Sequence, residues 1–273
     1  MAEIHHFAHG AFNPVAAYLL SFIGSLLGLV CTARARSTRQ RGRRARWLVL
    51  ASIAIGGAGI WLMHFMAMLG FAVPASPLRL DPYLTMSSLV IAVVTVGAGL
   101  FIVGFGRRRL LRVIGGGVLT GLGVVGMHYT GMLAVRVYGD ISYDTRLVGA
   151  SIGVAVVAAT VALWFTVTVG SWGRIVVAAA VMALAVCGMH YTGMAAIQVR
   201  LHESGVHHVQ GVNPMQMLVP IVLVTSAALI GMAFSGLKAM TEEEFAAPPP
   251  SPAGGRHAET PFTVALRPGG ETL

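Results

Sequence analysis

The seven residues Gly-Met-His-Tyr-Thr-Gly-Met occur as Gly126 to Met132 and again, letter for letter, as Gly188 to Met194. A looser copy, Leu62-Met63-His64-Phe65-Met66-Ala67-Met68, precedes them, so that His64, His128 and His190 stand 64 and then 62 residues apart. Near-constant spacing of this kind marks an internal repeat. Each copy closes an apolar run long enough to cross a bilayer. A fold built from such a chain has to bring the same chemistry to the same end of three like segments.

Composition excludes an ordinary soluble domain. The residues are 56% hydrophobic and 11% charged, with mean hydropathy +0.76, where a soluble domain is about 25% charged. At about 20 apolar residues per crossing, the sequence predicts an all-α membrane protein with seven spans. These run over Pro14–Ala33, Trp47–Leu69, Leu84–Phe105, Val113–Val135, Leu147–Val169, Ile175–Ile197 and Met215–Leu237.

Charge sets the expected orientation. The net charge of +9 suggests nucleic acid only at first sight, because seven of the nineteen basic residues lie between Arg34 and Arg46. That loop, with Arg107, Arg108, Arg109, Arg112 and Arg174 in the loops of the same parity, reads as cytoplasmic. The opposite loops hold Glu3, Asp81, Asp140, Asp144 and Glu203 and look like short exposed links. The N-terminus is thus expected outside and the C-terminus in the cytoplasm. Residues 1–13 form an extracytoplasmic N-terminus, 14–237 the membrane domain and 238–273 a tail. The tail, with Glu242 to Glu244, Pro248 to Pro250 and Pro252, is too polar and Pro-rich to order itself. It has no room for a catalytic domain, and the chain is not expected to be an enzyme.

The second, fourth and sixth spans run the same way, so their histidines share one depth. Residues four apart share a helix face, which pairs His64 with Met68, His128 with Met132 and His190 with Met194. Met63, Met127 and Met189 point about 100° away. Cys187, three residues before His190, lies near its face, and neither it nor Cys31 is placed to form a disulfide. Imidazole with thioether is a soft donor set that favours copper, Cu(I) above all. No Asp or Glu lies within the spans to serve as the general base of a hydrolase.

Each feature has a plainer alternative. Methionine in an apolar helix is ordinary packing, and a lone histidine can simply bond a neighbouring helix. Tyr129 and Tyr191 read as interfacial anchors, and Thr130 and Thr192 as back-bonding to their helices. The external histidines His5, His6, His9, His202, His207 and His208 are either polar loop residues or collectors of metal at the mouth of the site.

The Met-His-Tyr-Thr motif at the outer ends of alternate helices resembles the bacterial MHYT integral-membrane sensor domain, over about Phe12 to Leu237 and including Tyr18 and Ser21. The resemblance implies a multi-pass sensor of the bacterial plasma membrane that binds copper and thereby responds to oxygen, carbon monoxide or nitric oxide. By position its ligands fall on Met63, His64 and Met68, on Met127, His128 and Met132, and on Met189, His190 and Met194. The first copy departs from the motif, with Phe65 and Met66 in place of Tyr and Thr. Family members often continue into cyclic-di-GMP domains that this sequence does not contain, so output is expected to pass to a separate cytoplasmic partner. A copper or solute transporter, a bis-histidine haem protein and a ligand-free scaffold are the alternatives.

Overall fold

The computed structural model describes residues 3–8, 10–105, 110–201, 209–223, 225–227, 230–231 and 234. Among them, six helices are long and apolar enough to cross a membrane: α1 Phe12–Ser37, α2 Arg41–Met68, α3 Pro82–Gly104, α4 Leu110–Leu133, α5 Thr145–Thr168 and α6 Trp172–Ala195. The seventh expected span begins as a shorter apolar helix, α7 Pro214–Ala227, and much of its remainder lies outside the described residues. So do the expected tail, the arginines at 107–109 and His9, His202, His207 and His208.

Each helix packs against its neighbour in sequence, and α6 returns to α1, closing a ring of six. The ring is three consecutive hairpins, α1–α2, α3–α4 and α5–α6, and the second helix of each carries a motif. Equivalent hairpins start alike. Asp81 caps α3 by accepting from the Tyr83 and Leu84 amides, and Asp144 caps α5 by accepting from those of Arg146 and Leu147. Each cap satisfies amides that a helix start leaves without partners.

The links at the histidine end are not the plain exposed connections the turn residues suggest. Strand β1 Arg79–Leu80 pairs with β2 Val135–Arg136, and β3 Gly139–Tyr143 with β4 Ile197–Leu201, both antiparallel. In each case the segment entering a hairpin pairs with the segment leaving it. The first hairpin does the same through a bridge between His5 and Ala72. Backbone groups left over at the helix ends are satisfied in this way, and the motif helices are tied at the same level.

The basic loop is also shorter than expected. Helix α1 runs through Arg34 and Arg36 to Ser37, and α2 begins at Arg41, because arginine is a good helix former whose long stem carries its charge out of the apolar layer. Arg36 donates to the carbonyls of Thr166 and Val169 at the end of α5, a favourable place for a cation.

Helix α2 is the most enclosed, with 78% of its apolar window buried against 17–44% in the other five. Its centre, Ile53–Leu62, is π-helical, the wider winding that often accompanies functional sites. A Cβ on Gly24 of α1 would stand 2.3 Å from the Gly59 amide nitrogen of α2, so only glycine permits this approach.

Candidate metal centre

The three motif histidines meet inside the ring. His64 Nδ1 lies 3.0 Å from His190 Nδ1 and 3.2 Å from His128 Nδ1. The rings stand nearly edge to face, with centroids 5.0, 5.0 and 5.2 Å apart, and the residues are 3%, 0% and 1% exposed in chain order. Among the described residues this is the group of His, Cys, Asp or Glu side chains whose ligand atoms converge on one point.

Hydrogen bonding alone cannot satisfy the cluster. A ring nitrogen has one in-plane position, filled by either a proton or a lone pair. His64 Nδ1 faces two nitrogens and can pair with only one of them. A cation resolves the conflict, because three lone pairs then converge on one charge. Nitrogens held at about 2.0–2.1 Å by a tetrahedral metal stand roughly 3.3 Å apart, close to the observed spacing. When Nδ1 binds the ion the ring proton sits on Nε2, which in His128 and His190 has no hydrogen-bond partner, so the fit rests on the convergence of the Nδ1 atoms. The residues therefore fit a small metal ion.

The wall behind two of the three rings, His64 and His128, comes from the next copy of the motif. A Cβ on Gly131 would stand 2.4 Å from His64 Nε2, and one on Gly193 would stand 2.4 Å from His128 Nε2. Both glycines occupy the sixth place of the heptapeptide. In the first copy that place is Ala67, which is 2% exposed. The second glycine of the motif is thus a site residue that reading for donor atoms passes over, although its exact repetition was in plain view.

Methionines surround the cluster without sharing one role. Met63, Met68, Met127, Met132, Met189 and Met194 are all buried. Met63 packs with Ala17, Ala67 and Cys187 between α1, α2 and α6, while Met189 lines a cavity inside the ring. Met68, Met132 and Met194 lie one turn beyond their histidines toward the strand-bearing end. Both cysteines are free and buried, as expected.

The Tyr129 phenol bonds within the bundle instead of anchoring at the interface, and the Tyr191 hydroxyl is buried. Tyr129 Oη lies 3.0 Å from Ser151 Oγ on α5, and Ser151 already donates to the Val148 carbonyl, so the phenol is the donor. Phe65 has no hydroxyl to offer the equivalent Ser88, and Trp61 Nε1 donates there at 2.9 Å instead. By position in the repeat the third pair corresponds to Tyr191 and Ser21, and both oxygens are buried without a partner. Thr192 back-bonds to the Gly188 carbonyl as expected.

Of the external histidines described, His5 is exposed, with its Nε2 3.4 Å from a Glu3 carboxylate oxygen. His6 is not a plain loop residue: it packs on Phe71 at 5.9 Å between ring centroids, and its Nδ1 is buried without a partner. Phe7 lies 5.6 Å from the Tyr191 ring. Burial holds the His6 imidazole below its ordinary pKa.

Comparison with known proteins agrees with the threefold repeat. The profile of the MHYT family, described as "Bacterial signalling protein N terminal repeat", matches residues 57–116, 121–180 and 184–247. The chain is 36% identical over 225 residues to the bifunctional diguanylate cyclase/cyclic di-GMP phosphodiesterase MucR of Pseudomonas aeruginosa, covering 80% of this chain and 32% of that protein. It is 31% identical to the cyclic di-GMP phosphodiesterase NbdA of the same organism, covering 66% of this chain and 23% of the relative. It is 32% identical to the signaling protein YkoW of Bacillus subtilis, covering 55% and 19%. The chain thus spans a third or less of the length of these relatives. No solved structure matches it.

Proposed function

Since this chain belongs to the MHYT family of bacterial signalling proteins and is a multi-pass membrane protein, we propose that it is a sensor module whose three-histidine centre binds copper. The observation that carries the reading is the convergence of three buried Nδ1 atoms from three repeats. Copper is preferred because at least two thioethers flank each histidine within a helical turn and no carboxylate lies there. His64, His128 and His190 hold the ion, with Met68, Met132 and Met194 as the nearest soft donors and Met63, Met127 and Met189 behind them. Copper held there would supply a site for oxygen, carbon monoxide or nitric oxide to bind.

The protein's own part is geometric. Gly131 and Gly193 fix the rings from behind, the enclosed α2 excludes water, and the strand pairs hold the three helix ends level. The ligand nitrogens sit on three different hairpins, so any change in their spacing moves α2, α4 and α6 relative to one another. That movement reaches the arginine-rich opposite end, which the positive charge assigns to the cytoplasm, with the histidine end outside. The output partner is cytoplasmic. MucR and NbdA are named for cyclic di-GMP turnover, and a protein or domain of that activity is the partner we assign. The chain itself has no enzymatic role in this reading.

Transport is disfavoured by what lies beneath the cluster. The space inside the ring is lined mainly by aliphatic side chains, which offer no relay of donors for a cation.

The test is metal content by mass spectrometry on detergent-purified, copper-replete protein. About one copper per chain is expected, and it is lost in the His64→Ala, His128→Ala and His190→Ala variants. Copper retained in the triple variant refutes the site.

A further inference from the structure

Within the bundle lies a partly open cavity of about 50 Å³ to which every helix from α1 to α6 contributes. Its position follows from the repeat. Ile60, Val124 and Val186, one from each motif helix, line it, and each stands four residues before its histidine. Four residues are one turn and about 6 Å of rise on the same face. The cavity therefore lies directly beneath the histidine cluster, on the axis the three hairpins share. Met189, the residue next to His190, completes the wall.

The lining is dry in character. Most of its lining is aliphatic, from Ile55, Ile60, Val96, Val124, Leu163 and Val186. Of the three lining hydroxyls, Ser25, Thr120 and Thr166, Thr166 donates to its own helix at the Leu163 carbonyl and Thr120 to the Thr95 carbonyl, which leaves Ser25 as one polar partner. A water needs two to four polar partners, and apolar cavities of this kind stay empty of water and take up xenon or small apolar molecules. The space exists because α5 presents small residues there, Ala155 and Ala159, which are 3% and 8% exposed.

We infer that this cavity is a binding site for a small apolar gas, of the diatomic or noble-gas class, held one helical turn from the metal centre. The inference deepens the proposed sensing function and rests on it for its biological meaning: apolar gases concentrate in a bilayer, and the cavity presents them to the histidines from within the ring. The physical claim, occupancy by an apolar gas, stands apart from the metal.

Xenon is the probe, read by xenon-129 NMR on the full chain in nanodiscs. The wild type is expected to show one saturable site. His64→Ala should keep it whatever its copper content. Ala159→Leu should reduce xenon affinity at least tenfold, leave copper stoichiometry unchanged and slow carbon monoxide association with the reduced copper centre by about tenfold. Absence of saturable xenon binding in the wild type overturns the inference, and so does undiminished binding in Ala159→Leu. If that variant does not fold, Val186→Ala enlarges the cavity and must raise xenon occupancy, and no rise overturns the inference. A wild type that takes xenon but no copper refutes the metal centre and leaves the cavity site standing.

Discussion

A Cβ on Gly193 would stand 2.4 Å from Nε2 of His128, across the interface between two repeats. The same relation holds between Gly131 and His64. A real Cβ cannot sit there, so the imidazole must turn or α6 must move outward. Gly193→Ala is expected to lower metal affinity by about 10- to 100-fold, the usual cost of disturbing the groups that orient a ligand. Helix propensity alone would make the alanine variant more stable by about 1 kcal/mol, so a variant that gains stability and keeps full affinity would show that the wall is slack. Competitive copper titration with a chromophoric chelator decides between them.

The tyrosine and serine pairs predict opposite signs for one substitution at two equivalent places. Tyr129→Phe removes the donor to Ser151 and should cost about 1 kcal/mol, as interhelical hydrogen bonds in membranes do. Tyr191→Phe removes a buried hydroxyl that has no partner, and should be neutral or stabilising. Thermal unfolding in one detergent, compared between the two variants, checks the difference. A destabilisation of Tyr191→Phe equal to that of Tyr129→Phe would mean that Tyr191 is bonded to Ser21.

How much of this was legible in the sequence depends on range. Periodicity and spacing were enough for the matched depth of His64, His128 and His190, since rise per residue is fixed once the helix is. The caps at Asp81 and Asp144 are local chemistry visible beside Pro82 and Thr145, but their pairing with strands leaving the same hairpins is not. Pairing of β1 with β2 joins residues more than fifty apart, and two-residue strands carry no alternation to read. The role of Gly131 and Gly193 was hidden for another reason: a glycine's function here is the neighbour it admits, and that neighbour belongs to a different repeat. Tyr129 looked like an anchor because its partner, Ser151, is one small hydroxyl in an apolar helix.

Asp81 is half-buried, and the Leu84 amide, Arg136 at 3.1 Å and the Tyr83 amide hold its carboxyl below the ordinary carboxylate value. A depressed folded-state pKa means that the stabilisation is complete above the unfolded value, about 3.9, and is lost as pH falls through the folded one. Asp81→Asn keeps a capping oxygen and loses the charge. Wild type and variant should therefore differ at neutral pH and converge below about pH 4, which unfolding measured from pH 7 down to pH 3 would show. A constant difference across that range would mean that the Asp81 charge, with its amide and Arg136 partners, contributes nothing.

His6 titrates on the other side of the scale and ties the N-terminal segment to the site. Its imidazole is packed on Phe71, and burial lowers its pKa from the ordinary value near 6.5. The folded segment therefore prefers the neutral ring. As pH falls below about 6.5, the free segment takes up a proton before the docked one does, so docking weakens until the folded pKa is reached and then levels off. The backbone bonds His5 N to Ala72 O and Ala8 N to Gly70 O are the ones this releases. Hydrogen exchange of those two amides should accelerate, relative to intrinsic rates, on going from pH 7.5 to pH 5.5. His6→Phe keeps the packing and removes the titration, so its protection should be flat over that window. Equal pH dependence in the variant would show that another group governs the segment.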